Sequence, residues 1–183
     1  SKAIILAKQQ GVLAGIEVAK RVFQKIDQKV RFKKIMEDGR AFKKGERLAV
    51  LEGSSISILK GERTALNFLQ RMSGIATATR EFVRAAQGTK TKILDTRKTT
   101  PGLRALEKYA VRMGGGLNHR FSLSEMVLIK DNHLRIVGSI SEAVKRAKQR
   151  VKPGVKVEVE ATSLEEAKEA VQSGADIVML DNM

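Results

Sequence analysis

The sequence predicts an α/β protein: an N-terminal α/β domain over residues 1–88, then part of an open (β/α) barrel over residues 89–183, with about four barrel strands present. Three observations support that expectation. From residue 91 onward short apolar runs alternate with helical stretches, the pattern of βαβ crossovers and a parallel sheet. Ahead of them, brief apolar runs broken by glycine turns read as strands with little helix between. An apolar content of 42% over 183 residues suffices for a core.

Taken in order, Gly11 to Ile16, Val30 to Ile35 and Arg47 to Glu52 read as strands, with a short helix near Val18 to Phe23. Asp38-Gly39-Arg40 and Lys44-Gly45-Glu46 read as turns. Two helices are expected next, about Glu62 to Arg71 and Ile75 to Gln87. Ala65, Leu66, Phe68 and Leu69 form the apolar face of the first. The barrel part is expected to run as strand Thr91 to Leu94, helix Leu103 to Met113, strand Met126 to Ile129, helix Ser141 to Arg150, strand Val155 to Val159, helix Leu164 to Ser173 and strand Asp176 to Leu180. Thr100 with Pro101 suggests a cap and first turn for the helix at 103, Gly114 a stop, and Ser163 with Glu166 a capping box.

Charge narrows the function classes. Thirty-five Lys and Arg against 20 Asp and Glu give a net charge of +15, which draws anions to the molecule. Six Phe, one Tyr and no Trp are few rings for stacking bases, and no nucleic-acid-binding signature is present. With no Cys, thiol catalysis and disulfides are excluded. No apolar run approaches the roughly 20 residues that span a bilayer, so the expectation is a soluble, cytoplasmic protein without a membrane partner.

Each expected barrel strand ends in polar residues: Asp95-Thr96-Arg97-Lys98, Lys130-Asp131-Asn132-His133, Glu160, and Asp181-Asn182. One such residue is ordinarily a solvated loop; four in succession match the C-terminal rim on which (β/α) barrels build active sites. In Val155 to Glu160 the alternation sets three valines against Lys156, Glu158 and Glu160, one face for packing and one for a polar interior. Four strands do not close a barrel that uses about eight, so a covering partner or further chain is expected.

The segments Gly61-Glu62-Arg63-Thr64-Ala65-Leu66-Asn67, Ser73-Gly74-Ile75-Ala76-Thr77, Asp95-Thr96-Arg97-Lys98-Thr99-Thr100-Pro101-Gly102, Gly114-Gly115-Gly116-Leu117-Asn118-His119-Arg120 and Ile129-Lys130-Asp131-Asn132-His133 resemble the quinolinate phosphoribosyltransferase family, type II phosphoribosyltransferases, and the likeness runs from Gly11 to Asn182. The resemblance implies transfer of phosphoribosyl from phosphoribosyl pyrophosphate to quinolinate with decarboxylation, giving nicotinate mononucleotide, pyrophosphate and CO2 in NAD biosynthesis. It implies a homodimer or higher homo-oligomer with sites shared between subunits, Arg63 reaching the neighbour's substrate. It implies that Arg97, His119, Arg120 and Lys130 surround the two carboxylates of quinolinate, that Lys98 faces the phosphates, and that Glu160 and Asp181 hold the ribose hydroxyls and help place Mg²⁺, partly through water. Lys98, Lys130, Glu160 and Asp181 are thereby the candidate catalytic residues. No organic cofactor is implied.

The chemistry suits these residue types. Arginine's planar fork matches a carboxylate, and lysine's compact charge serves phosphate oxygens. Without the resemblance, Arg63 reads as a surface charge opening a helix, His119 and His133 as polar loop residues, Gly114 to Gly116 as a helix stop and linker, and the basic run Lys145 to Lys152 as a solvated helix face. Two rival functions remain: a nicotinate phosphoribosyltransferase, which releases no CO2, and a non-catalytic basic module binding anions or RNA.

Overall fold

A computed structural model describes residues 1–183. In chain order the elements are β1 (Lys2–Leu6), β2 (Gly11–Val12), α1 (Ile16–Ile26), β3 (Arg31–Lys34), β4 (Ala41–Phe42), β5 (Arg47–Glu52), α2 (Ser55–Ala85), α3 (Arg104–Gly114), β6 (Val127–Ile129), α4 (Asp131–Val137), α5 (Ile140–Arg150), β7 (Val157–Ala161), α6 (Leu164–Gln172) and β8 (Ile177–Leu180). They fall into two compact units, Ser1–His119 and Arg120–Met183. The sequence suggested a division at 88/89 instead. The later boundary follows from α3 staying with α2, since Arg71 pairs with Glu107 and Arg80 Nε donates to the Gly114 carbonyl at 2.7 Å.

In the first unit β1, β5 and β3 form an antiparallel sheet in that order, and β2 pairs with β4. Ile16, Ala19 and Phe23 recur at helical spacing along α1 and are buried, together with Leu13, Leu51 and Leu69, in one core. Gly61 lets α1 meet α2, because a Cβ there would lie 2.7 Å from the Phe23 ring. The motif glycine before Arg63 therefore has a packing reason of its own.

Asp38 supplies the start of α1 from a distance. Gly15 precedes the helix in a left-handed conformation and has no capping side chain. The Asp38 carboxylate accepts from the Gly15 and Ile16 amides at 2.9 and 3.1 Å and from the Tyr109 hydroxyl at 2.8 Å. Burial and this neighbouring anion push the Tyr109 phenol up to about 12. Asp38→Ala is expected to lower stability by about 1–3 kcal/mol, the range for a lost cap plus partners left unpaired, measured as a fall in the urea midpoint.

Two expected helices prove to be one. α2 runs 31 residues without a break at Gly74. Glycine weakens a helix interior by only about 1 kcal/mol relative to Ala, and docking here offsets that. Ser73 Oγ accepts from the Ala14 amide at 3.1 Å and Thr77 Oγ1 from the Val12 amide at 2.9 Å. Val12, Ala14, Met72, Ala76 and Ala110 close a second core along the same stretch. The helix at 103 also begins otherwise than expected: Leu103, not Thr100, is its N-cap residue, because Gly102 lies in the left-handed region at φ 77° and stops helical geometry after Pro101. The stop falls at Gly115, φ 95°, and Gly114 is buried against α2, where a Cβ would meet the Ala76 carbonyl at 2.5 Å.

In the second unit β6, β7 and β8 form a parallel sheet in that order. Val157 and Val159 are fully buried with Ile140, Val144 and Ala170 of the flanking helices. Ser163 Oγ accepts from the Glu166 amide at 3.2 Å, while Glu166 reaches back to the Thr162 amide at 2.7 Å, one residue before the position a capping box uses. Three of the four expected barrel strands thus pair with one another. Residues 91–94 do not form the fourth: Leu94 makes a lone parallel bridge to Leu117 inside the first unit. A segment reading Thr-Lys-Ile-Leu, with Thr91 and Lys92 exposed, buries too little to nucleate a strand by itself. No helix is long and apolar enough to cross a membrane.

Candidate active site

The loop after Leu94 carries the first cations and is pinned from several sides. The Arg97 carbonyl accepts from the Thr99 amide at 3.0 Å and from Arg104 at 3.3 Å, and Arg104 Nε donates to Thr99 Oγ1 at 3.1 Å. Glu107 accepts from the Thr100 amide at 3.2 Å and from Arg71, which also bonds Thr100 Oγ1. Within this frame Arg97 is half-buried, and its Nε is shielded from solvent without any hydrogen-bond partner. A buried donor of a charged group is costly to leave unpaired, so an orphan guanidinium nitrogen marks a place for an incoming acceptor. Lys98 beside it is exposed, its amide bonded to Thr96 Oγ1 at 3.0 Å.

Glu107 links this loop to acid stability. Burial works against its ionisation, but the bonds from Arg71 and Thr100 outweigh burial and hold its carboxyl below the ordinary 4.5. Its folded pKa being depressed, the stabilisation is fully present above the unfolded value and is lost as pH falls through the folded one. Urea midpoints followed from about pH 7 down to about pH 3 are expected to fall less steeply in Glu107→Gln than in the parent.

His119 is half-buried, with its amide bonded to Asp95 and its carbonyl to Lys108 at 2.9 and 3.0 Å. Arg63 is exposed on α2. In the second unit Arg120 donates to the Met126 carbonyl at 2.8 Å. Lys130 follows β6 and Glu160 lies in β7; the parallel register, with Ile129 opposite Val159, sets the two side by side. Lys130 Nζ lies 2.6 Å from Glu160 Oε2, with the side chains 38% and 17% exposed. The pair stands at the C-terminal ends of its strands, the edge where parallel α/β sheets bind ligands. Asp181 comes directly after β8, exposed, its amide held by the Ala161 carbonyl at 2.9 Å.

The candidate residues are therefore split, Arg63, Arg97, Lys98 and His119 in the first unit and Arg120, Lys130, Glu160 and Asp181 in the second. Lys130 and Glu160 form an ion pair. No three His, Cys, Asp or Glu side chains gather as a metal-ligand cluster. His133, read from sequence as a loop residue, instead lies in α4 and accepts the Lys130 amide on Nδ1 at 3.0 Å, so it helps hold the residue before it. Arg71, Arg104 and Glu107 were missed as organisers of the 97–100 loop. Nothing in a local pattern separates them from the other charges on their helices.

Comparison with known proteins bears on the whole chain. Residues 1–73 match the family described as quinolinate phosphoribosyl transferase, N-terminal domain, and residues 75–183 the corresponding C-terminal domain. A probable nicotinate-nucleotide pyrophosphorylase [carboxylating] of Bacillus subtilis is 50% identical over 181 residues, 99% of this chain and 63% of that protein. The mitochondrial quinolinate phosphoribosyltransferase [decarboxylating] 2 of Nicotiana glauca is 41% identical over 192 residues, 100% of this chain and 54% of that one. The solved nicotinate-nucleotide pyrophosphorylase from Francisella tularensis superposes with a TM-score of 0.97 at 43% identity, covering 100% of this chain and 65% of its own. The chain thus spans less than two thirds of the length of these relatives.

Proposed function

Because the chain belongs to the quinolinate phosphoribosyltransferase family, we propose that the protein carrying it transfers phosphoribosyl from phosphoribosyl pyrophosphate to quinolinate and decarboxylates the product to nicotinate mononucleotide. The observation that carries the reading is Lys130 set against Glu160 at the ends of adjacent parallel strands, a cation for an acidic acceptor beside a carboxylate for a cationic sugar. The orphan Nε of Arg97 supports it, being a buried donor suited to a carboxylate.

Quinolinate and phosphoribosyl pyrophosphate repel one another, and cations must offset that repulsion. Arg97, His119, Arg120 and Lys130 bind the two carboxylates and orient the ring nitrogen toward the anomeric carbon, and Lys98 draws the phosphates. The nitrogen lone pair forms the new bond as the bond to pyrophosphate breaks, positive charge developing on the sugar. Glu160 and Asp181 hold the ribose hydroxyls and stabilise that charge, a fixed electrostatic arrangement that needs no covalent intermediate. The product nitrogen is cationic, so the carbon next to it can release CO2, keep the electron pair and then take a proton. Magnesium is bound in general by one or two carboxylates together with substrate phosphates, which Glu160 and Asp181 with the diphosphate would provide; it would supply charge neutralisation on the leaving group.

The partner in this reading is a second copy of the chain, with Arg63 contributing to the neighbour's site. Quinolinate labelled in the carboxylate next to nitrogen is expected to yield labelled CO2 only in the presence of phosphoribosyl pyrophosphate. Ribosyl transfer to nicotinate without CO2 would replace this reading with its monocarboxylate rival. Mixing inactive Arg63→Ala with inactive Glu160→Ala protein is expected to restore activity through mixed dimers. Absence of recovery would remove the shared site.

A further inference from the structure

Asp95 and Lys108 form an ion pair almost sealed from solvent, the side chains 7% and 3% exposed and 2.5 Å apart. Asp95 Oδ1 also accepts the His119 amide at 2.9 Å, and Lys108 Nζ also donates to the His119 carbonyl at 3.0 Å. Asn118, its amide turned to donate, reaches Asp95 Oδ2 at 2.9 Å and the Lys108 carbonyl at 3.0 Å. One buried pair therefore grips both backbone polar groups of His119, which leaves the direction of its Cα–Cβ bond little freedom. Asp95 is at the same time two residues ahead of Arg97.

Stability alone does not account for such a pair. Charges taken from water lose solvation that their attraction only partly returns, and apolar replacements of similar volume are often neutral or stabilising. The best-attested use of a buried polar group is to set register. Here the direct backbone pairing between the two segments is short. The 93–95 and 117 segments share two backbone bonds, Leu117 to the Ile93 carbonyl at 2.8 Å and Asp95 to the Leu117 carbonyl at 3.1 Å. A slip of one residue in so short a bridge would turn every side chain to the other side.

We propose that Asp95 and Lys108 are positioning residues for quinolinate recognition, locking the Arg97 and His119 segments in one register so that both side chains present to the acid together. This rests on the function proposed above. The test is the double variant Asp95→Leu with Lys108→Met in the complete protein, which keeps an apolar pair of similar volume. It is expected to melt within about 4 °C of the parent, to bind quinolinate about 100-fold more weakly, the scale of a misplacement near 1 Å, and to lose less affinity for phosphoribosyl pyrophosphate, which meets the displaced segments through Lys98 alone. Hydrogen exchange of the Leu117 and His119 amides is expected to accelerate by a similar factor.

A folded double variant with parental quinolinate affinity, or with parental protection of His119, overturns the proposal. If the double variant does not fold, Asp95→Asn, which preserves volume, is judged on the same two readouts. If the parent itself shows no affinity for quinolinate, it is the functional reading that falls, and the exchange rates decide alone whether the lock exists.

Discussion

Arg97→Ala in the complete protein is expected to lower kcat/KM for quinolinate by about 100- to 1,000-fold, as truncating one member of a buried, hydrogen-bonded charge pair does. The loss should fall mainly on quinolinate, since the carboxylate accepts from the guanidinium both before and during transfer. Stability should move the other way. In the free protein Arg97 Nε is a buried donor with no acceptor, so its removal relieves an unmet desolvation, and the melting temperature is expected to hold or rise. Arg97→Lys should rescue little, because a point charge does not reproduce the planar fork. Steady-state kinetics and thermal melts on the same preparations check both halves. Parental turnover in Arg97→Ala would remove this arginine from the site.

The Lys130 and Glu160 pair carries the second large effect, and its two members should separate kinetically. Lys130→Met takes away the cation offered to the acid and leaves the Glu160 carboxylate, 17% exposed, without its 2.6 Å partner. A fall in kcat/KM of about 100- to 1,000-fold is expected, the size seen when a fixed electrostatic contact is removed from an active site. Glu160→Gln keeps the volume, frees Lys130 from its competitor and removes the charge facing the sugar. Its kcat should therefore drop about 100-fold while the KM for quinolinate holds or falls. Initial rates over a grid of both substrates distinguish the cases. A raised quinolinate KM with parental kcat in Glu160→Gln would show that the carboxylate serves binding of the acid instead.

Much of the fold is written in local periodicity. The strands at 127, 157 and 177 and the helices at 140 and 164 were legible because valine and isoleucine alternate or recur over windows shorter than a dozen residues. The cations at the strand ends were legible for the same reason, as charges falling where an apolar run stops. β1 and the two-residue strand β4 were not singled out, and of the strand expected over Gly11 to Ile16 only Gly11–Val12 forms, since pairing with partners about 30 to 50 residues away defines these strands, as in Lys2 opposite Glu52 and Gly11 opposite Phe42. The gap expected between the helices ending at Arg71 and starting at Ile75 is itself helical, because the bonds of Ser73 and Thr77 to the 12–14 segment hold the helix through Gly74.

By itself, then, the amino-acid order determined the α/β class, the parallel βαβ run, the strongly cationic character and the family to which the residues point. Only the tertiary structure decided that 91–94 contributes a single bridge, that the two central helices are one, and that Lys108, outwardly one more helix charge, lies buried against Asp95 beneath His119. The difference is physical. Backbone periodicity and side-chain polarity act over neighbouring residues and can be read along the chain. Desolvation of a charge depends on what folding brings against it from 13 and 24 positions away.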